Sequence, residues 1–356
     1  MIFYTILMGT SVFIAYEASR NKNKYCVFFI VLLLSLVAGL RAPTVGKDTT
    51  SYNDIFNLLL KGKEIEEYNL ESSFVFLCKT LLFVFPHSNW LFFWFALLTH
   101  GCVLARLWDF QEDCSFPLMV FCYFCGFYFL SLNIMRQFCA VAIIFYATRF
   151  LPKGGYIKFL VALFLAILFH KSALLGLGFL FCEIFFWKQL QEKQKITLFC
   201  IGIVCVLGGV FLIPKILDEY ARYFDMIKID IGFMLLLKFS LLVFTFFCLL
   251  DQKRKSKESL TSKGERQVFS ITLYYLIGIL LTFLGYIFLY LERIGTYYFI
   301  FECVYMGLIA KQLKFKGNEV YRLLLNLLIV ALYSYIFIDA MLGNGQGQIP
   351  YLFFWQ

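Results

Sequence analysis

Polar sequence is scarce in this chain. Asp, Glu, Lys and Arg together supply only 15% of its 356 residues, with 3 histidines and 6 prolines, and the mean hydropathy is +0.78. So little charge cannot coat a soluble domain of this length. Also missing are a Gly-rich phosphate cradle, HExxH-type metal spacing, a loop long enough for a nucleotide-binding domain, internal repeats and Gly/Ser linkers. The sequence therefore predicts neither a metal nor a cofactor.

What fills the chain is apolar. Hydrophobic residues make up 61% and aromatics 20%. They fall in runs at 2–16, 25–40, 72–86, 90–107, 116–130, 134–151, 156–169, 172–187, 196–213, 232–250, 268–290, 296–310 and 321–338. Runs of roughly 15 to 23 residues suit helices crossing a hydrocarbon core of about 30 Å, whereas barrel strands need about ten residues. The chain reads as an all-α polytopic integral membrane protein, with residues 1–356 as a single integral-membrane domain. Most of the 12 cysteines, Cys122 and Cys125 among them, sit inside these runs and read as small hydrophobes. The net charge of +9 lies in short loops between runs, a topology signal that argues against nucleic acid as a partner.

Run 2–16 precedes Arg20, Lys22 and Lys24, which places the N-terminus outside. Strict alternation from there would put the basic loops Arg149/Lys153/Lys158, Lys188/Lys193/Lys195 and 251–267 outside as well, against the positive-inside tendency. One run must not cross. Run 72–86 is short, contains Lys79 and ends in Pro86-His87, as a re-entrant or interfacial helix would. About twelve spanning helices then remain, and every basic loop faces the cytoplasm. The loops 41–71 and 214–231, Ser131 to Gln137, His170-Lys171, Glu292-Arg293 and the tail after Asp339 all meet on the outer side.

Those outward segments hold the candidate chemistry. Arg136, between Asn133 and Gln137, presents the planar donor fork that suits phosphate or carboxylate oxygens, although an interfacial Arg can also simply snorkel to the headgroups. Pro43 and Gly46 predict a tight turn that gathers Arg41, Lys47 and Asp48, a cation and a carboxylate able to bind an anionic leaving group and accept a proton. Glu71 is placed to cap the helix after it. His170, followed by Lys171 and Ser172, is a candidate general base without the neighbours of a hydrolase triad. Loop 214–231 suits an amphipathic lid bearing Arg222. Arg41, Arg136, Arg222 and Arg293 together can offset the charge of a pyrophosphate leaving group without a metal.

Several of these pieces resemble the Wzy/EpsG-type polymerases of bacterial O-antigen, capsule and exopolysaccharide. They are Arg41 with Gly46-Lys47-Asp48-Thr49 and Tyr52, Asn133-Ile134-Met135-Arg136-Gln137-Phe138-Cys139-Ala140, His170-Lys171-Ser172-Ala173, Glu292-Arg293-Ile294 with Tyr297-Tyr298-Phe299, and Pro350-Tyr351-Leu352-Phe353. The family more often has Thr or Tyr where Lys47 stands. The resemblance implies a GT-C-like membrane glycosyltransferase in the bacterial cytoplasmic membrane. On its outer face it would join undecaprenyl-pyrophosphate-linked repeat units, with no nucleotide sugar, cofactor or metal. Lipid-linked donor and acceptor, membrane lipids and a chain-length regulator are the implied partners. Arg136, Arg41, Arg293 and, more weakly, Arg222 would hold the pyrophosphate, His170 or Asp48 would take the hydroxyl proton, and Asn133, Gln137, Tyr52 and Lys171 would line the site. A flippase for lipid-linked oligosaccharide and a related glycan ligase are the rival readings.

Overall fold

The computed structural model describes residues 1–63, 65, 68, 70–188, 191, 194, 232–255, 262–286, 289–313 and 319–356. Run 196–213, the predicted lid 214–231 with Arg222, and part of the basic loop 251–267 lie outside them. Among the described residues every regular element is a helix, and one isolated antiparallel bridge joins Arg41 to Phe353. They form two compact units, Met1–Tyr146 with Phe164–Ala173 and Glu302–Gln356, and Ala147–Leu163 with Leu174–Phe301.

The first unit holds α1 (Ile2–Asn21), α2 (Lys24–Leu40), α3 (Thr49–Leu60), α4 (Ser72–Val84), α5 (Ser88–Trp108), α6 (Phe116–Tyr123), α7 (Phe129–Asn133) and most of α8 (Met135–Ala147). It also takes the second half of α9 (Tyr156–Phe169). A single π turn, Phe124–Tyr128, joins α6 to α7 in one continuous span. There the Ser131 hydroxyl donates to the Tyr128 carbonyl at 2.6 Å, supplying a partner where the α ladder is interrupted. The second unit holds α10 (Leu177–Trp187), α11 (Phe233–Lys255), α12 (Ser262–Gly285) and α13 (Leu289–Phe299). After it come α14 (Phe301–Gln312) and α15 (Glu319–Gly343), which belong to the first unit apart from Phe301.

Among the described residues five helical stretches are long and apolar enough to cross a membrane: Ile2–Asn21, Ser88–Trp108, Phe116–Asn133, Arg266–Gly285 and Glu319–Gly343. Run 232–250 lies in the 23-residue α11, whose apolar part is Phe233–Leu249, and the remaining described runs form shorter helices. α4 has 13 residues, about 20 Å of helix and well short of a 30 Å core. Both its ends meet the same end of the unit. At its start the Ser73 hydroxyl donates to Leu168 O at 2.7 Å, and just beyond it the Ser88 hydroxyl donates to Asn53 Oδ1 at 2.7 Å. α4 thus behaves as the sequence predicts for a non-crossing helix. It and α3 bury Phe56, Leu59, Phe74 and Cys78 against Phe92 and Phe95 of α5 and Cys139 of α8.

The ends of the first unit differ in chemistry. At one end the Phe3 ring stacks on Tyr351 at 4.2 Å, and the Tyr351 hydroxyl donates to Val37 O at 2.9 Å, so α1, α2 and the segment after α15 come together. At the other, Lys22 pairs with Glu112 at 3.2 Å and Lys311 Nζ donates to Gln111 O at 2.7 Å. Arg20, Arg106 and Arg322 share this second end, so the basic loops and the polar cluster segregate within this unit as the charge pattern predicts.

In the second unit the structure departs from the predicted runs. Run 268–290 stops at Gly285 and run 296–310 divides at Ile300, so Glu292 and Arg293 lie on helix α13 and not at a loop. The reason is a close helix crossing. A side chain at Gly278 would come within 2.5 Å of the Phe299 backbone, and one at Gly295 within 3.0 Å of Thr282. These two glycines let α13 fold back along α12. Around them Phe179 stacks on Tyr298 at 4.3 Å, the buried Glu183 pairs with Arg266, and Lys238 Nζ sits 4.9 Å above the Phe299 ring.

The same logic holds between α2 and α5, where a Cβ on Gly39 would lie 2.7 Å from Phe93 Cβ, whereas one on Gly9 of α1 meets nothing within 4 Å. Gly39→Leu is expected to destabilise the detergent-purified chain by about 1–3 kcal/mol through overpacking. Gly9→Ala is expected to be neutral or to stabilise by up to about 1 kcal/mol. Thermal midpoints of the two variants measure the difference.

Candidate functional site

The polar end of the first unit is organised by Asn133, the last residue of α7. Its amide nitrogen donates to Gln346 O at 3.0 Å and to Gln346 Oε1 at 2.7 Å, while its Oδ1 accepts the Asp48 backbone N–H at 3.4 Å. One side chain therefore holds two segments far apart in sequence. Gly46 and Lys47 donate their backbone N–H groups to Gly347 O and Gln346 O at 2.7 and 3.0 Å, and Ala42 N–H donates to Leu352 O at 2.8 Å. Gly46 adopts φ +105°, and a Cβ there would lie 2.5 Å from Thr49 Oγ1 and 2.8 Å from Asn133 Oδ1, so the turn requires glycine. Lys47 and Asp48 are left exposed at the start of α3, and Asp48 makes no side-chain cap hydrogen bond.

Arg41 goes the other way. It is 2% exposed, donates from a terminal guanidinium nitrogen to Leu132 O at 2.9 Å, and lies 4.7 Å above the Phe92 ring. The predicted turn forms, yet it does not bring the Arg41 side chain to Lys47 and Asp48. Among the described residues no carboxylate pairs with Arg41 and its Nε has no partner. Burial pulls its pKa down to about 10, partly offset by Tyr128, Tyr4 and Tyr351. The guanidinium remains charged near neutral pH, so a positive charge without a counterion among the described residues lies beneath the loop.

Arg136, in the first turn of α8 and three residues after Asn133, occupies a shielded position. Its terminal guanidinium nitrogen pairs with Glu71 Oε2, with 15% of the Arg136 side chain and 11% of the Glu71 side chain exposed. Its Nε donates to the Tyr52 hydroxyl at 3.3 Å. Tyr52 therefore accepts here, and its own proton has no acceptor among the described residues. Burial raises the Tyr52 pKa and the neighbouring Arg136 opposes that shift, so the phenol stays protonated. Glu71 does not cap α4 as predicted, since its other oxygen accepts the Lys171 backbone N–H at 3.3 Å. The carboxylate instead joins the α8 arginine to the turn after α9.

That turn fixes His170. The Ser172 backbone N–H donates to His170 Nδ1 at 3.2 Å, and the Ser172 hydroxyl lies 2.7 Å from the same atom. A backbone amide can only donate, so Nδ1 is the acceptor, the imidazole is neutral and its proton is on Nε2. His170 is half-buried and Lys171 exposed. The structure thus brings together Arg136, Tyr52, Glu71 and Lys171 directly, with Asp48 one helical turn before Tyr52 on α3. Gln137 is buried beside Arg136 in sequence. Arg293 lies exposed on α13 of the second unit, and Arg222 is outside the described residues.

Glu71 and Gln346 are the two members that sequence reasoning passes over. Glu71 reads locally as a cap, and nothing in its neighbourhood points to an arginine 65 positions away. For Gln346 the signal is the alternation Gly343-Asn344-Gly345-Gln346-Gly347-Gln348, a polar turn-forming run after an apolar helix.

No curated protein matches this chain, and no solved structure does. Residues 24–353 match the EpsG family, a stretch that takes in Arg41, Asp48, Tyr52, Asn133, Arg136, His170 and the tail residue Phe353 that bridges to Arg41. With nearly its whole length matched, the chain belongs to the EpsG family.

Proposed function

We propose that this protein polymerises polysaccharide by joining undecaprenyl-pyrophosphate-linked oligosaccharide repeat units on the outer face of the bacterial cytoplasmic membrane. The observation behind this reading is the pairing of an anion-binding arginine with unsatisfied donors at the less basic end of a helical membrane unit. The reaction moves a growing glycan from its lipid pyrophosphate to a hydroxyl of the next lipid-linked unit. The hydroxyl oxygen forms a bond to the anomeric carbon, the bond from that carbon to the pyrophosphate oxygen breaks, and the hydroxyl proton passes to a base. Lipid pyrophosphate leaves with the bonding electron pair.

The leaving group needs positive charge and donors where its own charge develops. Arg136 brings its guanidinium charge, Tyr52 offers the proton of its hydroxyl, and Lys171 adds an exposed ammonium. Buried Arg41 supplies potential from beneath the loop without touching substrate. Asn133 holds the turn that starts α3, and Gln137 lies buried beside Arg136 in sequence. His170, with its proton on Nε2, acts as a donor to a phosphate oxygen, which leaves exposed Asp48 to accept the hydroxyl proton.

The decisive experiment incubates purified protein with lipid-pyrophosphate-linked repeat units from its own host, without nucleotide sugar or metal, and resolves the glycan on a gel. A ladder is expected for the native chain. Arg136→Ala is expected to lower turnover by about 100- to 1,000-fold. Movement of the substrate across proteoliposome membranes with no ladder would make the polar end a transport gate and overturn the reading. A ladder on a different lipid acceptor would make the protein a ligase.

The two candidate bases separate in the same assay. Asp48→Asn is expected to lower kcat by about 100- to 10,000-fold with little change in KM, whereas His170→Gln, having lost only a donor, retains more activity than Asp48→Asn.

Stability isolates the Arg136–Glu71 pair from its chemistry. Glu71→Ala leaves a shielded arginine without its partner and is expected to destabilise by about 3–5 kcal/mol, while the combined Glu71→Leu/Arg136→Met variant recovers most of that loss. Thermal unfolding in detergent measures both.

A further inference from the structure

At the basic end of the first unit, away from the site above, a cavity of about 790 Å³ opens between α1, α6, α14 and α15. Arg20, Lys311 and Arg322 form its rim, and no carboxylate lines it among the described residues. The wall then turns apolar through Leu118, Phe121 and Val330. Along α15 the lining runs from Arg322 to Val330, a depth of about 12 Å at 1.5 Å per residue. The cavity is cationic at its mouth and oily below, over a length that spans a headgroup and the start of its chains.

The rim cations are not neutralised by their neighbours. Arg20 faces Glu17 at 3.7 Å and Arg322 faces Glu319 at 3.8 Å, both long i,i+3 pairs in which the arginine itself is solvent-exposed, of the kind that contribute little. Lys311 gives one N–H to Gln111 O and keeps two. A second observation is independent of charge. Asn326 lines the cavity, and its side-chain oxygen is shielded from solvent without a hydrogen-bond partner among the described residues. A buried acceptor of this kind calls for a donor that these parts of the protein do not provide.

From this arrangement we infer that the cavity is a binding site for an anionic glycerophospholipid of the surrounding bilayer. Its phosphate sits among Arg20, Lys311 and Arg322, and its chains descend between α1 and α15. Basic pockets between membrane helices at the side rich in Lys and Arg hold lipid phosphates by the same chemistry. Headgroup hydroxyls, as in phosphatidylglycerol, supply the kind of donor that Asn326 lacks. The inference does not depend on the proposed polymerase activity.

The test uses the full chain in detergent, titrated with phosphatidylglycerol, phosphatidylcholine or inorganic phosphate, with thermal stabilisation and native mass spectrometry as readouts. Phosphatidylglycerol is expected to stabilise the chain and to remain bound as one retained lipid, whereas phosphatidylcholine does neither. The double variant Arg20→Gln/Arg322→Gln, altered at two side chains outside the core, is expected to weaken phosphatidylglycerol binding roughly 25-fold, about fivefold per cation. Ser19→Phe fills the cavity with the charges intact and is expected to abolish retention. Equal phosphatidylglycerol binding by the native chain and both variants would overturn the site, leaving only diffuse surface charge. Equal stabilisation by inorganic phosphate would identify a free-anion site and overturn the lipid assignment.

Discussion

Backbone groups at the mouth of a membrane bundle cannot be left unpaired, and here one amide side chain settles several of them. Asn133 closes α7 and holds the Gly46 turn on one side and Gln346 on the other. With that side chain in place, Gly46 can lie against it only without a Cβ, the segment at 346–354 can pair with 40–47, and α3 begins at a defined angle. Tyr52, one turn along α3, then reaches Arg136. Each polar contact at this end follows from the previous one, which explains why so short a loop is so rigidly specified.

Two arginines at the same end are treated in opposite ways. Arg136 has a carboxylate, a phenol and partial access to solvent, so an incoming anion competes with Glu71 for a group that is already oriented. Arg41 has no carboxylate among the described residues and almost no access. A charge buried that way is unfavourable by several kcal/mol unless something else in the working state compensates. Under the proposed function a negatively charged substrate above the loop would be such a compensation, and Arg41 would then act electrostatically without contact. The contrast also separates what binds from what attracts.

Much of this was legible in the sequence. Helical class, the non-crossing character of α4 and the segregation of basic loops from polar segments within the first unit follow from run length and charge placement, which are local quantities. The turn at Gly46 and the cluster around Arg136 were legible too, because Pro, Gly and an interrupted apolar run are strong local signals. What could not be read is partner choice. Glu71 carries no mark that it belongs to Arg136 and not to its own helix, and Arg41 carries none that it points inward. The backfolding of α13 was hidden for a related reason, since Gly278 and Gly295 matter only through the neighbour that approaches them.

The pairing of the outer turn with the segment beyond α15 also sets an order of assembly. Tyr351 bonds to Val37 across 314 positions, and Asn133 to Gln346 across 213. Contacts of such separation form late, after the intervening helices have been made and inserted. Until residue 346 emerges, the Gly46 turn has only half of its clamp and Asp48 has no fixed direction. The chain therefore completes its polar mouth only after residue 346 has been made and inserted, and a half-inserted protein carries the Arg136 cluster without the turn that directs Asp48.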